Sequence, residues 1–113
     1  MRALAVAIVL GVAGCETAQQ GQVSLAKQNY LEGDYADALY WAESAVMRGD
    51  DPPGTLAQAY YAKAQALDRM NRRSEAAGLY EYVVRFAGET EIGFLAKARL
   101  DAIGSACTVA KPP

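Results

Sequence analysis

From Val23 onward, apolar residues recur with the period of a helix and not the alternation of a strand. A first helix is predicted over about Val23 to Glu32, closed by Gly33, a residue suited to the left-handed backbone that ends helices. Asp34 is placed to cap the next helix, where Tyr35, Ala38, Leu39, Ala42, Ala45 and Val46 form one amphipathic stripe. The run Gly49-Asp50-Asp51-Pro52-Pro53-Gly54 then breaks the chain, because proline lacks an amide donor and glycine disfavours continued helix. Thr55 is placed to cap a third helix, about Leu56 to Met70, with Leu56, Ala59, Tyr60, Ala64 and Leu67 inward. Alanine at 57, 62 and 66 leaves its other surfaces small, so that neighbouring backbones can approach closely. Ser74 and Glu75 open a fourth helix with Ala76, Leu79, Tyr80, Val83, Val84 and Ala87 inside, ending at Gly88. A fifth, about Glu91 to Ile103, turns Ile92, Leu95, Ala96, Leu100 and Ile103 inward and leaves Lys97, Arg99 and Asp101 to water. Gly104 is expected to stop it, with 105–113 as a frayed tail.

The first fifteen residues follow a different rule. Arg2 supplies a cationic start, Ala3 to Val12 an apolar run too short to span a bilayer, and Ala13-Gly14 the small residues that a signal peptidase needs. The ending Val12-Ala13-Gly14-Cys15 resembles the lipobox of bacterial lipoproteins, with valine where leucine is most usual. That resemblance implies a signal peptide over 1–14, diacylglycerol on the Cys15 thiol and a membrane-anchored mature chain. The competing reading is an uncleaved helix in which Cys15 is a small buried hydrophobe. Residues 16–22 are polar and lack apolar periodicity, so 15–22 reads as a lipidated cysteine and tether, and 23–104 as the folded domain. Glu16 is compatible with sorting to the periplasmic face of an outer membrane.

Removing the first 14 of the 113 residues leaves 99, enough for one core. The chain is 52% apolar, with alanine dominant and β-branched residues sparse, which favours closely packed helices. Its formal charge of −2 gives no electrostatic reason to expect nucleic acid. Arg69, Arg72 and Arg73 cluster at a predicted turn and read as a solvated basic corner. With Cys15 lipidated, Cys107 is either a free thiol or half of an intermolecular bridge. Without lipid, a Cys15 to Cys107 disulfide becomes possible.

The second and fourth helices align, with Ala38, Trp41, Ala42 and Ala45 matching Ala76, Leu79, Tyr80 and Val83 at an offset of 38. The phrase Gly33-Asp34-Tyr35-Ala36-Asp37-Ala38 resembles the helix-to-helix turn of a tetratricopeptide repeat. The usual unit is about 34 residues, so the additional residues fall in the loop around Asp50 to Gly54. Two departures stand out: Asn71 replaces the glycine of the second turn, and Gln22 occupies an early large apolar position. The resemblance covers about residues 20–103 and implies an all-α antiparallel helix-hairpin array of about two repeats plus a C-terminal capping helix. It further implies a concave groove lined by the first helix of each hairpin. By register Lys27, Tyr30, Tyr61, Gln65 and Asp68 face that groove, where tyrosines with polar neighbours make plausible recognition points. About three repeats are normally needed to bury a core, so either the fifth helix caps a small array or another chain covers an open end.

Catalytic chemistry has little to stand on. The chain contains no histidine, the commonest general base and zinc ligand, and its ten glycines are scattered instead of forming a phosphate loop. The pairs Asp34 with Asp37 and Asp50 with Asp51 fit capping and solvated turns. No catalytic, metal or cofactor site is expected. The sequence therefore points to a non-enzymatic adaptor that holds an envelope protein or peptide segment in its groove while lipid on Cys15 fixes it at a membrane. The alternative is a structural lipoprotein that self-associates through its open end or Cys107.

Overall fold

In the computed structural model the described residues are 17–50 and 53–110, with side chains to position 104. They form five helices and no strand: α1 (Ala18–Leu31), α2 (Tyr35–Val46), α3 (Thr55–Arg69), α4 (Arg73–Ala87) and α5 (Glu91–Ala110). Cys15, the predicted lipid site, lies outside the described residues.

Each helix packs on the next, and α1 and α5 also touch α3. Helix α3 therefore has neighbours on four sides, which explains why Thr55, Ala57, Ala59, Ala62, Ala64, Ala66 and Leu67 are all buried along it. The alanines the sequence marked as small are where α3 lets its neighbours in. Against it, Val23, Ala26, Ala42 and Ala45 of the first hairpin form two small clusters, and Trp41 packs on one of them. The larger cluster joins Ala64, Leu67, Ala76, Tyr80, Val83, Ala96 and Ile103 across α3, α4 and α5.

The two hairpins repeat each other in backbone detail at the 38-residue offset. Gly33 takes φ 84° and Asn71 takes φ 63°, so the asparagine adopts the left-handed conformation its glycine counterpart adopts. The Asp34 amide donates to the Asn29 carbonyl and the Arg72 amide to the Leu67 carbonyl, both at 2.9 Å. The Gly33 amide donates to Tyr30 as the Asn71 amide donates to Asp68, both at 3.1 Å. These bonds satisfy the last carbonyls of α1 and α3, which the helices cannot satisfy themselves. The departure at Asn71 thus leaves the turn unchanged.

Several boundaries differ from the sequence pattern. Residues 18–22, expected in the tether, belong to α1: Thr17 and Gln20 form a reciprocal capping box, worth about 1 kcal/mol. Gln19 is buried, and its amide nitrogen donates to the Ala45 carbonyl at 3.0 Å and to the Gly49 carbonyl, tying the start of α1 to the end of α2. A run of glutamines has no apolar period, so this first turn was invisible to a hydrophobic pattern. The frayed tail expected at 105–113 is helical through Ala110, because Gly104 keeps a right-handed backbone and costs only about 0.5–1 kcal/mol inside a helix. Asp34 makes no side-chain capping bond. Thr55 is the first helical residue instead of the cap, and Asp50 Oδ1 accepts from the Gly54 and Leu56 amides, both at 3.0 Å.

Candidate partner-binding groove

Helices α1, α3 and α5, the first of each hairpin and the closing helix, share one face of the array and enclose an open cleft of about 710 Å³. Tyr30 reaches it from α1, Tyr61, Gln65 and Asp68 from α3, and Leu95 and Arg99 from α5. Four of the five residues assigned to the groove by register therefore lie in one cleft. The fifth, Lys27, lines an adjoining cleft of about 500 Å³ with Gln58, Glu91 and Ile92, and Tyr61 is common to both. Residues 61, 65 and 68 converge because steps of three or four bring side chains to one helix face.

Asp68 is the centre of the larger cleft and is spent internally. Its Oδ2 accepts from Arg99 Nε at 2.8 Å and from the Tyr80 hydroxyl at 3.2 Å, while Oδ1 accepts from an Arg99 terminal nitrogen at 3.0 Å. Arg73 Nε stands 3.9 Å from Oδ1. Arg99 keeps the water-exposed position expected of it, and from there it also crosses from α5 to α3 as a two-pronged clamp. Burial, with the Asp68 charge beside it, pushes the Tyr80 hydroxyl far above the usual tyrosine range. Its bond to Asp68 raises Arg99 in turn.

Around that centre the cleft is cationic. Arg69, Arg73 and Arg99 line it against the single carboxylate of Asp68. The predicted basic corner divides into separate jobs. Arg69 Nε donates to the Tyr30 hydroxyl at 3.1 Å, with its guanidinium 5.7 Å from the Tyr30 ring centroid and 5.9 Å from that of Tyr35. Arg72 turns away to Glu75, meeting it at 2.7 and 2.9 Å. Arg73 stays on the cleft.

Tyr61 contributes a half-buried ring 5.9 Å from that of Tyr80, and burial with Tyr30 nearby raises its hydroxyl above the ordinary value. Gln65 donates to the Tyr61 hydroxyl at 3.4 Å. Leu95, expected in the core, is 45% exposed and forms an apolar part of the wall. Gly93, which lies against the Ala87–Gly88 backbone, and the fully buried Ala96 take the inner side of α5, and Leu95 lies beside that side. The sequence pattern did not identify Arg69, Arg73, Leu95 and Arg99 as groove residues. The spacing of three and four from Ala96 to Arg99 and Ile103 was visible, but not which side of α5 would meet α3.

Among the described residues, no three His, Cys, Asp or Glu side chains converge in a way that could hold a metal ion. No helix among them is long and apolar enough to cross a membrane. No protein-family model, no curated protein and no solved structure matches this sequence.

Proposed function

We propose that the protein is a lipid-anchored, non-enzymatic adaptor of the bacterial envelope, of tetratricopeptide type, that holds a partner's chain segment on the α1–α3–α5 face. The observation that carries this reading is the convergence of Tyr30, Tyr61, Gln65 and Asp68 in one open cleft. The 38-residue repetition of turn conformation and hydrogen bonding supports the repeat assignment. The lipobox-like ending at Cys15 supports anchoring, with Glu16 favouring the periplasmic face of the outer membrane.

The cleft is suited to a segment and not to a small substrate. It is open, and Asp68, Arg99, Tyr80, Arg69 and Tyr30 are already bonded to one another, leaving rings, a leucine, Asn71, Arg73 and the outer edges of the other guanidinium groups to a visitor. Aromatic and arginine side chains of this kind dominate the energy of protein interfaces.

The experiment places a photo-crosslinking phenylalanine analogue at Tyr61 and, as a control, at Tyr40, which is 62% exposed on α2. The lipidated protein is then irradiated in its native envelope. A discrete adduct from position 61 and none from position 40 is expected. Adducts from position 40 alone would overturn the assignment of the face. Cys15→Ser, which removes the lipid site, is expected to release the protein from membranes and abolish the adduct.

A further inference from the structure

We propose that the end of the helix array carrying Thr17, Met47 and Phe86 rests directly on the lipid bilayer, so that the domain stands end-on at the membrane instead of hanging from a flexible tether. This rests on the anchoring reading above. Its own basis is structural: α1 begins at Ala18 and Thr17 caps it, so Glu16 alone separates the cap from Cys15. Two residues of fully extended chain reach at most about 7 Å. A headgroup layer is itself about 5–8 Å thick, so a lipid on Cys15 holds the cap at the membrane surface.

The start of α1 brings the same end of its neighbours with it. Gln19 donates to the Ala45 and Gly49 carbonyls, and Arg48 Nε donates to Gln22 Oε1 at 2.9 Å, so the end of α2 is bonded to the first turn of α1. The antiparallel course of the chain puts the start of α3, the end of α4 and the start of α5 there too. The Tyr60, Tyr82 and Phe86 rings link α3 to α4 at this end, with centroids 4.3 and 4.6 Å apart.

Three large apolar side chains stand exposed in these terminal turns. Met47 is 85% exposed at the cap of α2, Phe86 64% near the end of α4, and Phe94 65% in the first turn of α5. Water is a poor environment for them, and the headgroup and acyl boundary is a favourable one, where aromatic rings are at home. The local charges do not supply the attraction. Asp50, Glu89 and Glu91 outnumber Arg48 and Arg85 here, so the contact is apolar and is not weakened by salt.

The orientation assigns the two clefts different places. The one lined by Lys27, Pro53 and Glu91 lies toward the membrane, while Asp68 and Arg69 stand about 20 Å along α3 from Thr55 and away from it. A partner thus enters the arginine-lined cleft from the aqueous side.

The test uses the full-length lipidated protein, with Cys107→Ser to remove the other thiol, in vesicles of phosphatidylethanolamine and phosphatidylglycerol. Met47→Cys and Leu31→Cys each carry an environment-sensitive fluorophore. Leu31 is 83% exposed at the opposite end of α1, about 20 Å away, and serves as the internal comparison. Nitroxides on lipid headgroups are expected to extinguish most of the emission at 47 and little at 31, with no loss of quenching at 47 at raised salt. Phe86→Cys provides a second position should the Met47 variant fold poorly. Equal quenching at 31 and 47, or shielding at 47 that depends on protein concentration and so marks a second copy, overturns the inference. Mass spectrometry of the same sample separates the two levels: an unmodified Cys15 defeats the anchoring reading itself, whereas a lipidated Cys15 with an unquenched 47 defeats only the end-on contact.

Discussion

Replacing Asp68 with alanine tests how much of the groove's architecture depends on one carboxylate. Its side chain is only 10% exposed, and its most demanding partner is Tyr80, 1% exposed, whose hydroxyl has Asp68 as its acceptor. Leaving that buried donor unsatisfied costs about 1–3 kcal/mol. The Arg99 and Arg73 side chains are 45% and 55% exposed, so solvent screening limits their two pairs to less than about 1 kcal/mol each. Asp68→Ala is therefore expected to lose about 2–4 kcal/mol, which in a domain this size lowers Tm by on the order of 10–20 °C. Tyr80→Phe removes the donor and leaves Asp68 clamped by Arg99, at about 1 kcal/mol. The double variant should then lose less than the sum of the two single variants, by about 1–2 kcal/mol. Urea unfolding followed by circular dichroism at 222 nm measures all four proteins. Strict additivity, or an Asp68→Ala loss below about 0.5 kcal/mol, would refute the claim that this carboxylate anchors the Tyr80 hydroxyl.

Three further outcomes follow, one at Tyr80 and two at other sites. Because Tyr80 is raised in the folded state, its contribution is fully present below the unfolded-state value near 10 and is lost as pH rises beyond it. Alkaline titration should show stability falling above about pH 10, and less steeply in Tyr80→Phe; equal slopes would count against it. Gly93→Ala should destabilise by about 1–3 kcal/mol in urea, despite alanine's better helix propensity, because the new Cβ would meet the Ala87 carbonyl oxygen and lie 2.7 Å from Gly88 Cα. A stabilised variant would show that the α4–α5 corner can open. Gln19→Leu keeps the bulk but strips the donor from the Ala45 and Gly49 carbonyls, for an expected loss of about 1–3 kcal/mol, whereas Gln28→Leu, exposed on the same helix, should change little. Equal effects at 19 and 28 would mean the buried amide contributes nothing.

Helices with strong apolar stripes were legible in the chain. The buried residues Ala38, Ala42 and Ala45 on α2 and Ala76, Tyr80 and Val83 on α4 all fall within the stripes that the period of the helix picks out. Turn chemistry was partly legible: Gly33 stands where a left-handed residue is needed, while Asn71 does the same work without looking like a glycine. The first turn of α1 was not legible, since Thr17, Gln19 and Gln20 act through capping and a bond 26 residues away, neither of which has a hydrophobic signature.

The groove shows the same division. Register along single helices brought Tyr30, Tyr61, Gln65 and Asp68 to one face, and the structure places them in one cleft. What register could not give is the pairing across helices, such as Arg99 with Asp68 at a separation of 31 or Arg69 with Tyr30 at 39. Local periodicity and turn residues determine which elements form, because both depend on a few neighbouring dihedrals. Which charges are satisfied, which guanidiniums are left on the open cleft and which helix ends lie beside Thr17 depend on how distant helices dock. That docking is fixed by the close approach of α1, α2, α4 and α5 to the alanine-lined surface of α3, a property of the packed structure and not of any one segment.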